Sequence, residues 1–356
     1  MAITDHPSKL ALSFSKVETE VKKCYVTFLV VISILPEKKK TVKMAGDNAS
    51  FVVEFILLGF YDLPNLQGFL FGIILVIFMY ILIGNGLIVV ITKIDPALQT
   101  PMYFFLGKFS LLEICFTSVT LPRMLSDLWT QKRHISMLAC AVQLCFLYIC
   151  GSFECLLLAI MAYDRYVAIC KPLYYPIIMN NRVCNILILG SLMIVTPVII
   201  GETYQIFSLT FCGSNELNYL FCDVTSLLKL ACADTSVNEF SLYIDCVFFG
   251  FLPFFLILLS YIKIINTILK MPSVGRHKAF STCSSHLIVV VLFYGSGIIT
   301  YLQPKSSHSA EKDKMLSLLY TIVTPTFNPI IYSLKNKDVI TSLKKIIKKG
   351  LISVTK

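Results

Sequence analysis

Phe69-Leu-Phe-Gly-Ile-Ile-Leu-Val-Ile-Phe-Met-Tyr-Ile-Leu-Ile-Gly-Asn-Gly-Leu-Ile-Val-Val-Ile-Thr92 contains no charged side chain and no proline. A bilayer core about 30 Å thick needs roughly 20 apolar residues in helical form, and this run is long enough. A buried helix in a soluble protein could be as apolar but would not need the length. Working outward, six more runs qualify or nearly so: Met102 to Leu125, Leu138 to Met161, Val183 to Tyr204, Phe240 to Ile264, Ala279 to Leu302 and Met315 to Leu334. Helix is the assignment, because hydrocarbon offers no partner to open backbone groups. A spanning barrel would show alternating segments of about ten residues, and these runs do not alternate. The expected fold is an all-α integral membrane protein, a seven-transmembrane helix bundle over residues 69–334.

Composition agrees. Of 356 residues, 56% are hydrophobic and 15% charged, against about a quarter charged in soluble domains. The net charge of +10 does not indicate nucleic acid, because the basic residues sit between and after apolar runs and are not interleaved with base-stacking aromatics. Their placement orients the chain instead. One set of inter-span segments, with the tail after Leu334, holds fifteen lysines and arginines, including Arg165, Lys171, Arg182 and Lys263. The opposite loops hold seven. The N-terminus is therefore expected outside the cell and the C-terminus in the cytoplasm, in a multi-pass plasma-membrane protein. Within the tail 335–356, Lys335 to Lys349 alternates basic and apolar residues, which predicts a short cytoplasmic amphipathic helix on the anionic inner leaflet.

Residues 1–43 do not fit that picture. They carry eight lysines and an apolar run, Cys24 to Leu35, too short to span comfortably. A signal peptide would want a small-residue cleavage site after that run, and Pro36-Glu37 and lysines come next. The reading adopted is that 1–43 is an upstream extension and Met44 the functional start. Residues 44–68 then form a short extracellular tail with a glycosylation acceptor at Asn48, in Asn48-Ala49-Ser50. Of thirteen cysteines, four fall on the outer side: Cys140, Cys212, Cys222 and Cys232. Four cysteines allow three pairings, and spacing alone does not choose among them.

Five segments together carry a resemblance. Pro101-Met-Tyr-Phe-Phe-Leu106 opens the second span, and Met161-Ala-Tyr-Asp-Arg-Tyr-Val-Ala-Ile-Cys170 closes the third. Ser260-Tyr261 ends the fifth, Lys278-Ala-Phe-Ser-Thr-Cys-Ser-Ser-His-Leu287 opens the sixth, and Pro325-Thr-Phe-Asn-Pro-Ile-Ile-Tyr-Ser-Leu334 closes the seventh. In this order the chain resembles the olfactory receptors, a branch of the rhodopsin-like G-protein-coupled receptors, and looks closer to the tetrapod-type class. The resemblance covers about Met44 to Lys349.

It implies disulfides Cys140–Cys222 and Cys212–Cys232. It implies that Arg165 is a switch, held by Asp164 at rest and freed to meet a heterotrimeric G protein when the sixth helix swings. Tyr166, Tyr261, Tyr294, Asn328, Pro329 and Tyr332 belong to the same switch, and Asn85 braces the core. The implied ligand is a small volatile odorant, bound by Tyr148, Ser152, Asp245, Ile298, Tyr301 and Thr321, a mostly apolar set with a few polar groups. For each pocket residue, plain helix packing is the competing reading. The implied signal is a stimulatory olfactory-type G protein and a rise in cyclic AMP.

Several residues also read independently. Glu113 and Glu154 are ionisable groups inside apolar runs, which are costly and face the bundle interior. At 1.5 Å per residue, Glu113 lies about 18 Å in from Pro101 and Glu154 about 16 Å in from Arg165, so the two share a depth. Two buried carboxylates share a proton or hold a cation, and a sodium ion suits their hard oxygens. Lys108 stands where the family commonly has a small polar residue; it either snorkels toward the cytoplasm or pairs with an acid. Asp245, at the expected pocket height, would favour basic or hydrogen-bond-donating ligands, unless it is solvated or paired with a loop lysine such as Lys229. His286 is expected to bond between helices rather than bind metal.

A transporter would show repeats or broken helices, and no repeat is visible. The chain is not expected to be an enzyme, because its histidines are scattered over different loops and ends. The remaining alternative is a chemoreceptor of the same fold for a non-odorant ligand outside the nose.

Overall fold

The computed structural model describes residues 54–61, 63–212, 214–301, 318, 321–322, 324–335 and 338–345, without the side chains of 273–275, 277–278, 282, 299–301 and 332–335. The expectations for residues 1–43, for Met44 and Asn48, and for the end of the tail lie outside them.

The apolar runs become helices: α1 Gln67–Ile94, α2 Pro101–Thr130, α3 Met137–Cys170, α4 Asn181–Ser208, α5 Ser236–Leu269, α6 Ser273–Tyr301 and α7 Thr324–Lys335. A further helical segment, α8, covers 338–345. Among the described residues, six helices are long and apolar enough to cross a membrane. α1 packs on α2 and α7, α3 on α2, α4, α5 and α6, and α6 on α7, which closes a bundle around α3. Its burial pattern is inverted relative to a soluble protein. Val76, Met193, Phe240 and Val291 point outward, 66–75% exposed, as lipid-facing side chains should. Asn85, Glu113, Asn328 and His286 are buried inside.

Several helices outrun the expected spans. α2 continues past Leu125 to Thr130, α3 past Met161 to Cys170, and α6 starts at Ser273 rather than Ala279. Hydropathy sees only the lipid-immersed part. A helix of 34 residues such as α3 is about 51 Å long, so its ends stand clear of the hydrocarbon and stop only at a local signal. α2 ends where Gln131 turns left-handed at φ 56°, and α3 ends before Pro172, which disfavours helix at the residue ahead of it. Starts are equally local. Ser136 Oγ accepts from Ala139 N–H at 3.2 Å and Asn180 Oδ1 from Val183 N–H at 3.0 Å, each satisfying an orphan donor of the first turn. α5 changes winding midway, with a π segment at Cys246–Phe251 between two α stretches.

One end of the bundle, the strand face, carries a small sheet absent from the sequence expectation. β1 Glu54–Leu57 is its middle strand, antiparallel to β2 His134–Ser136 and parallel to β3 Glu216–Leu217. Phe55, Leu57, Ile135, Phe211 and Leu217 form a core beneath it with the adjoining ends of α3 and α4. The opposite end, the tail face, bears α8. There Tyr103 Oη donates to Asp338 at 3.0 Å and Ser342 Oγ to Asp95 at 2.6 Å. Lys345 approaches the same Asp95 oxygen at 3.9 Å. These contacts tie α8 to the α1–α2 turn.

Candidate functional site

The interior polar groups line up across the middle of the bundle. Asn328 on α7 donates through Nδ2 to Glu113 Oε1 on α2, and Glu113 in turn contacts the Glu154 carboxyl on α3. All three are at least 97% buried. Glu113 Oε2, Glu154 Oε1 and Asn328 Oδ1 are buried without a hydrogen-bond partner. The two acids thus share a depth and a contact, and the oxygens left over are hard acceptors buried in the bundle interior. A shared proton or a sodium ion would satisfy them.

α7 comes close to α1 beside this row. A Cβ on Gly84 would lie 2.9 Å from Pro329 Cβ, so only a glycine lets the two helices approach this far. Asn85, next along α1, is fully buried and donates to Ile81 O at 3.1 Å.

Nearer the tail face, Asp164 and Arg165 are 1% and 6% exposed. No ion pair joins their side chains within 4.0 Å among the described residues. Asp164 instead accepts from Tyr175 Oη, in the loop after α3, at 2.9 Å. Burial pushes the Tyr175 hydroxyl well above the usual tyrosine range, so it stays a donor. Arg165 acts electrostatically on Asp164 and also on Cys283 and His286 of α6. Across from it, Tyr261 Oη of α5 and His286 Nδ1 of α6 are 2.8 Å apart, with their rings stacked at 5.8 Å. Tyr166 lies between two ammonium groups, Lys171 and Lys263, at 6.0 and 5.6 Å from its ring centroid. Cys170 Sγ stands 3.2 Å from Thr267 Oγ1, another α3–α5 contact. Tyr294 on α6 meets the Phe254 ring of α5 at a 45° tilt, with centroids 4.9 Å apart, and faces Cys155 of α3. The side chain of Tyr332 is outside the described residues.

Of the expected pocket residues, Tyr148 and Ser152 are half-buried on α3, and Thr321 is fully buried. Ile298 is 46% exposed, and the Tyr301 side chain is outside the described residues. Asp245 is half-buried, but its carboxyl meets Glu202 of α4 rather than Lys229. A separate recess on the strand face is lined by Gly59, Phe60, Asp127, Arg133 and Leu220, none of them expected pocket residues. Lys108 is half-buried, with its ammonium 5.7 Å from the Phe104 ring centroid. Disulfides join Cys140 to Cys222 and Cys212 to Cys232, with Cα separations of 5.5 and 5.9 Å. The first ties the loop before α5 to the top of α3, where Gln143 Oε1 also accepts from Cys222 N–H at 3.0 Å.

Two residues of these contacts, Glu202 and Tyr175, are absent from the sequence expectation. Glu202 is an ionisable side chain near the end of an apolar run, the same signal that singles out Glu113. Tyr175 has no such signal, since nothing in a loop tyrosine announces a buried partner eleven positions earlier.

The sequence pattern of the family described as olfactory receptor matches residues 74–350. Among curated proteins, the chain is similar to human olfactory receptor 10AG1, 57% identical over 300 residues, which is 84% of this chain and all of that one. It is similar to human olfactory receptor 10A7 at 50% over 305 residues, 85% of this chain and 96% of that one. Mouse olfactory receptor 5AP2 is 47% identical over 304 residues, 84% of this chain and 95% of that one.

Proposed function

The chain belongs to the olfactory receptor family, G-protein-coupled receptors and not enzymes, and from that premise we propose that it binds small volatile molecules within the helix bundle and raises cyclic AMP through a stimulatory olfactory-type G protein. The family makes it a multi-pass plasma-membrane protein with an odorant-receptor role. The proposal adds the ligand site, the partner and the direction of signalling, with the strand face outside the cell and the tail face inside. The surplus of lysine and arginine on the tail-face loops supports that orientation.

The observation that carries the reading is the row of buried polar contacts running Asn328–Glu113–Glu154 across α7, α2 and α3, above the Asp164–Tyr175 and Tyr261–His286 contacts near the tail face. Tyr261–His286 joins α5 to α6 and must change if α6 is to swing, the buried row ties α7 and α2 to α3, and Asp164–Tyr175 ties α3 to the loop that follows it. A ligand among Tyr148, Ser152, Ile298, Tyr301 and Thr321 would bias such contacts by preferring one arrangement. Desolvation would drive entry and hydroxyls would set orientation. Asp245 is the acidic member of this set, and a basic ligand would have to compete with Glu202 for its carboxyl. Arg165 would be the group that meets the G protein, with Tyr166, Tyr261, Tyr294, Pro329 and Tyr332 supporting the open state. A sodium ion fits the unpartnered oxygens of Glu113, Glu154 and Asn328, where its charge would neutralise the acids of the resting bundle.

The test is cyclic AMP in cells expressing the chain from Met44 with an olfactory G protein, screened against a chemically broad odorant panel that includes amines. Arg165→Ala serves as the control. A response that this control abolishes is expected. Silence despite proven surface expression would reject the coupling assignment.

A further inference from the structure

Glu202 is an acid in the apolar run that becomes α4, and it is 92% buried (8% exposed). It lies six residues before the end of α4, about 9 Å below the strand face. Ser241 Oγ on α5 donates to Glu202 Oε1 at 2.7 Å. Asp245 stands four residues further along α5, on the same helix face. The position four residues on brings its carboxyl within interaction range of that of Glu202, and its Oδ2 is buried with no hydrogen-bond partner. No lysine, arginine or histidine among the described residues forms an ion pair with either acid. From α3, Cys145 faces Thr203, the residue beside Glu202, and Tyr148 is half-buried on the same helix. Tyr204 of α4 and Tyr243 of α5 flank the pair with 50% and 70% exposure. Glu239, on the exposed side of α5, is bonded to Thr235. Two carboxyls in contact, without a cation, are held together by a proton, since both ionised they would repel.

A second observation gives this contact a position in the fold. Asp245 is the last residue before the π segment Cys246–Phe251. Single π turns inside α-helices concentrate at functional positions, and each one resets the register of the helix beyond it. Beyond this one lies Leu252–Leu269, with Tyr261 and its contact to His286 of α6. The acid pair therefore anchors to α4 the fixed end of a helix whose other end carries a switch contact.

We propose that Glu202 and Asp245 form a proton-sharing latch between α4 and α5, closed while one proton is shared and released when both carboxyls ionise, so that the packing of α5 depends on pH at the strand face. Linkage sets the sign. The closed pair binds a proton that the separated pair gives up, so its stabilisation is present at low pH and is lost as pH rises.

Thermal melting of the full-length receptor in lipid nanodiscs, from about pH 5.5 to about pH 8, reads this without ligand or G protein, so its failure is distinct from failure of the signalling assignment. The wild type is expected to lose melting temperature as pH rises. Glu202→Gln should flatten that loss, because an amide can hydrogen-bond the remaining carboxylate at any pH. Asp245→Asn should do the same and covers the case in which the first variant does not fold. Ser241→Ala removes a hydrogen bond but no proton, and should keep the pH dependence. A wild type and a Glu202→Gln variant with parallel pH profiles would overturn the proposal. So would a wild-type melting temperature that rises with pH in sodium but not in choline, with Glu202→Gln insensitive to that exchange, which would make the bridge between these two acids a cation rather than a proton.

Discussion

Tyr175 shows what one hydroxyl does at the tail face. Its bond to Asp164 neutralises none of the acid's charge, but it occupies an oxygen that is otherwise buried in protein. Hydrogen bonds to charged groups are worth about 1.5–3 kcal/mol. If the bond belongs to the resting arrangement, Tyr175→Phe should raise ligand-free cyclic AMP by roughly tenfold, the equivalent of the lower figure. An unchanged basal signal at equal surface expression would place the bond in both arrangements. Glu154 tests the interior acids in the same way. Replacing sodium with choline is expected to raise the basal signal of the wild type, and Glu154→Gln should remove that response. A variant that responds to sodium as the wild type does would leave a shared proton as the tenant of the site. Glu113 and Glu154 were legible in the sequence because a charge inside an apolar run is costly and helical rise alone gives its depth. The partner of Asp164 was not, because the choice between a neighbour on the helix and a tyrosine in the next loop depends on how that loop folds back.

At the scale of elements, helix existence and order were legible, while helix ends were not. The runs show where lipid is, and α3 and α6 continue beyond it because backbone hydrogen bonds persist until a cap or a proline stops them. Attachments between elements were also hidden. The α8 segment reads in the sequence as a helix lying on a membrane surface, and in the fold it is also held to protein. Asp95 stands at the centre of this, accepting from Ala97 N–H at 3.0 Å and from Ser342 Oγ at 2.6 Å, with Lys345 at 3.9 Å. Asp95→Ala removes all three contacts and should cost about 1–3 kcal/mol, visible as a lower melting temperature and weaker coupling. Asp95→Asn keeps one carbonyl oxygen for Ala97 N–H and turns an NH2 toward Ser342, whose hydroxyl can accept from it, while the attraction to exposed Lys345 is lost, so its effect should be smaller. Equal effects from the two variants would show that the charge, not the hydrogen bonds, holds α8. Gly84 tests the packing of α1 against α7. Gly84→Ala puts a methyl 2.9 Å from Pro329 Cβ, and overpacking of this kind costs typically about 1–3 kcal/mol. A melting temperature no lower than that of the wild type would mean that α1 and α7 separate at no cost.

For the whole molecule, the strand face is a lid assembled from distant parts of the chain. Its sheet draws β1 from before α1, β2 from between α2 and α3, and β3 from between α4 and α5. Strands of two to four residues leave no alternation for a sequence reading to find. Their partners come together only because helix packing and the two disulfides bring those loops to one place. The cysteines were visible, but geometry could not choose their pairing in advance, and it was resemblance to a family that implied it. In the fold the two bonds have different roles. Cys140–Cys222 spans 82 residues and links a loop to a helix, whereas Cys212–Cys232 spans 20 within one loop. Chain entropy alone assigns about 4–5 kcal/mol to a closed loop of the first length and about 3 kcal/mol to the second. Both are upper values, because helices inserted in lipid keep much of their order when a bond is lost. The longer bond also holds Cys222 against Gln143 and buries the core under the sheet, so the gap between the two should widen rather than close. The paired variant Cys140→Ser with Cys222→Ser, which leaves no orphan thiol, is expected to lose most surface expression and melt well below the wild type. Cys212→Ser with Cys232→Ser should lose less of both. Flow cytometry and melting of the purified receptor read the order directly. If the short-loop pair proved the more damaging, the lid would be held chiefly by the local fold of the loop before α5, and the sheet would be a consequence of that fold rather than of the tether to α3.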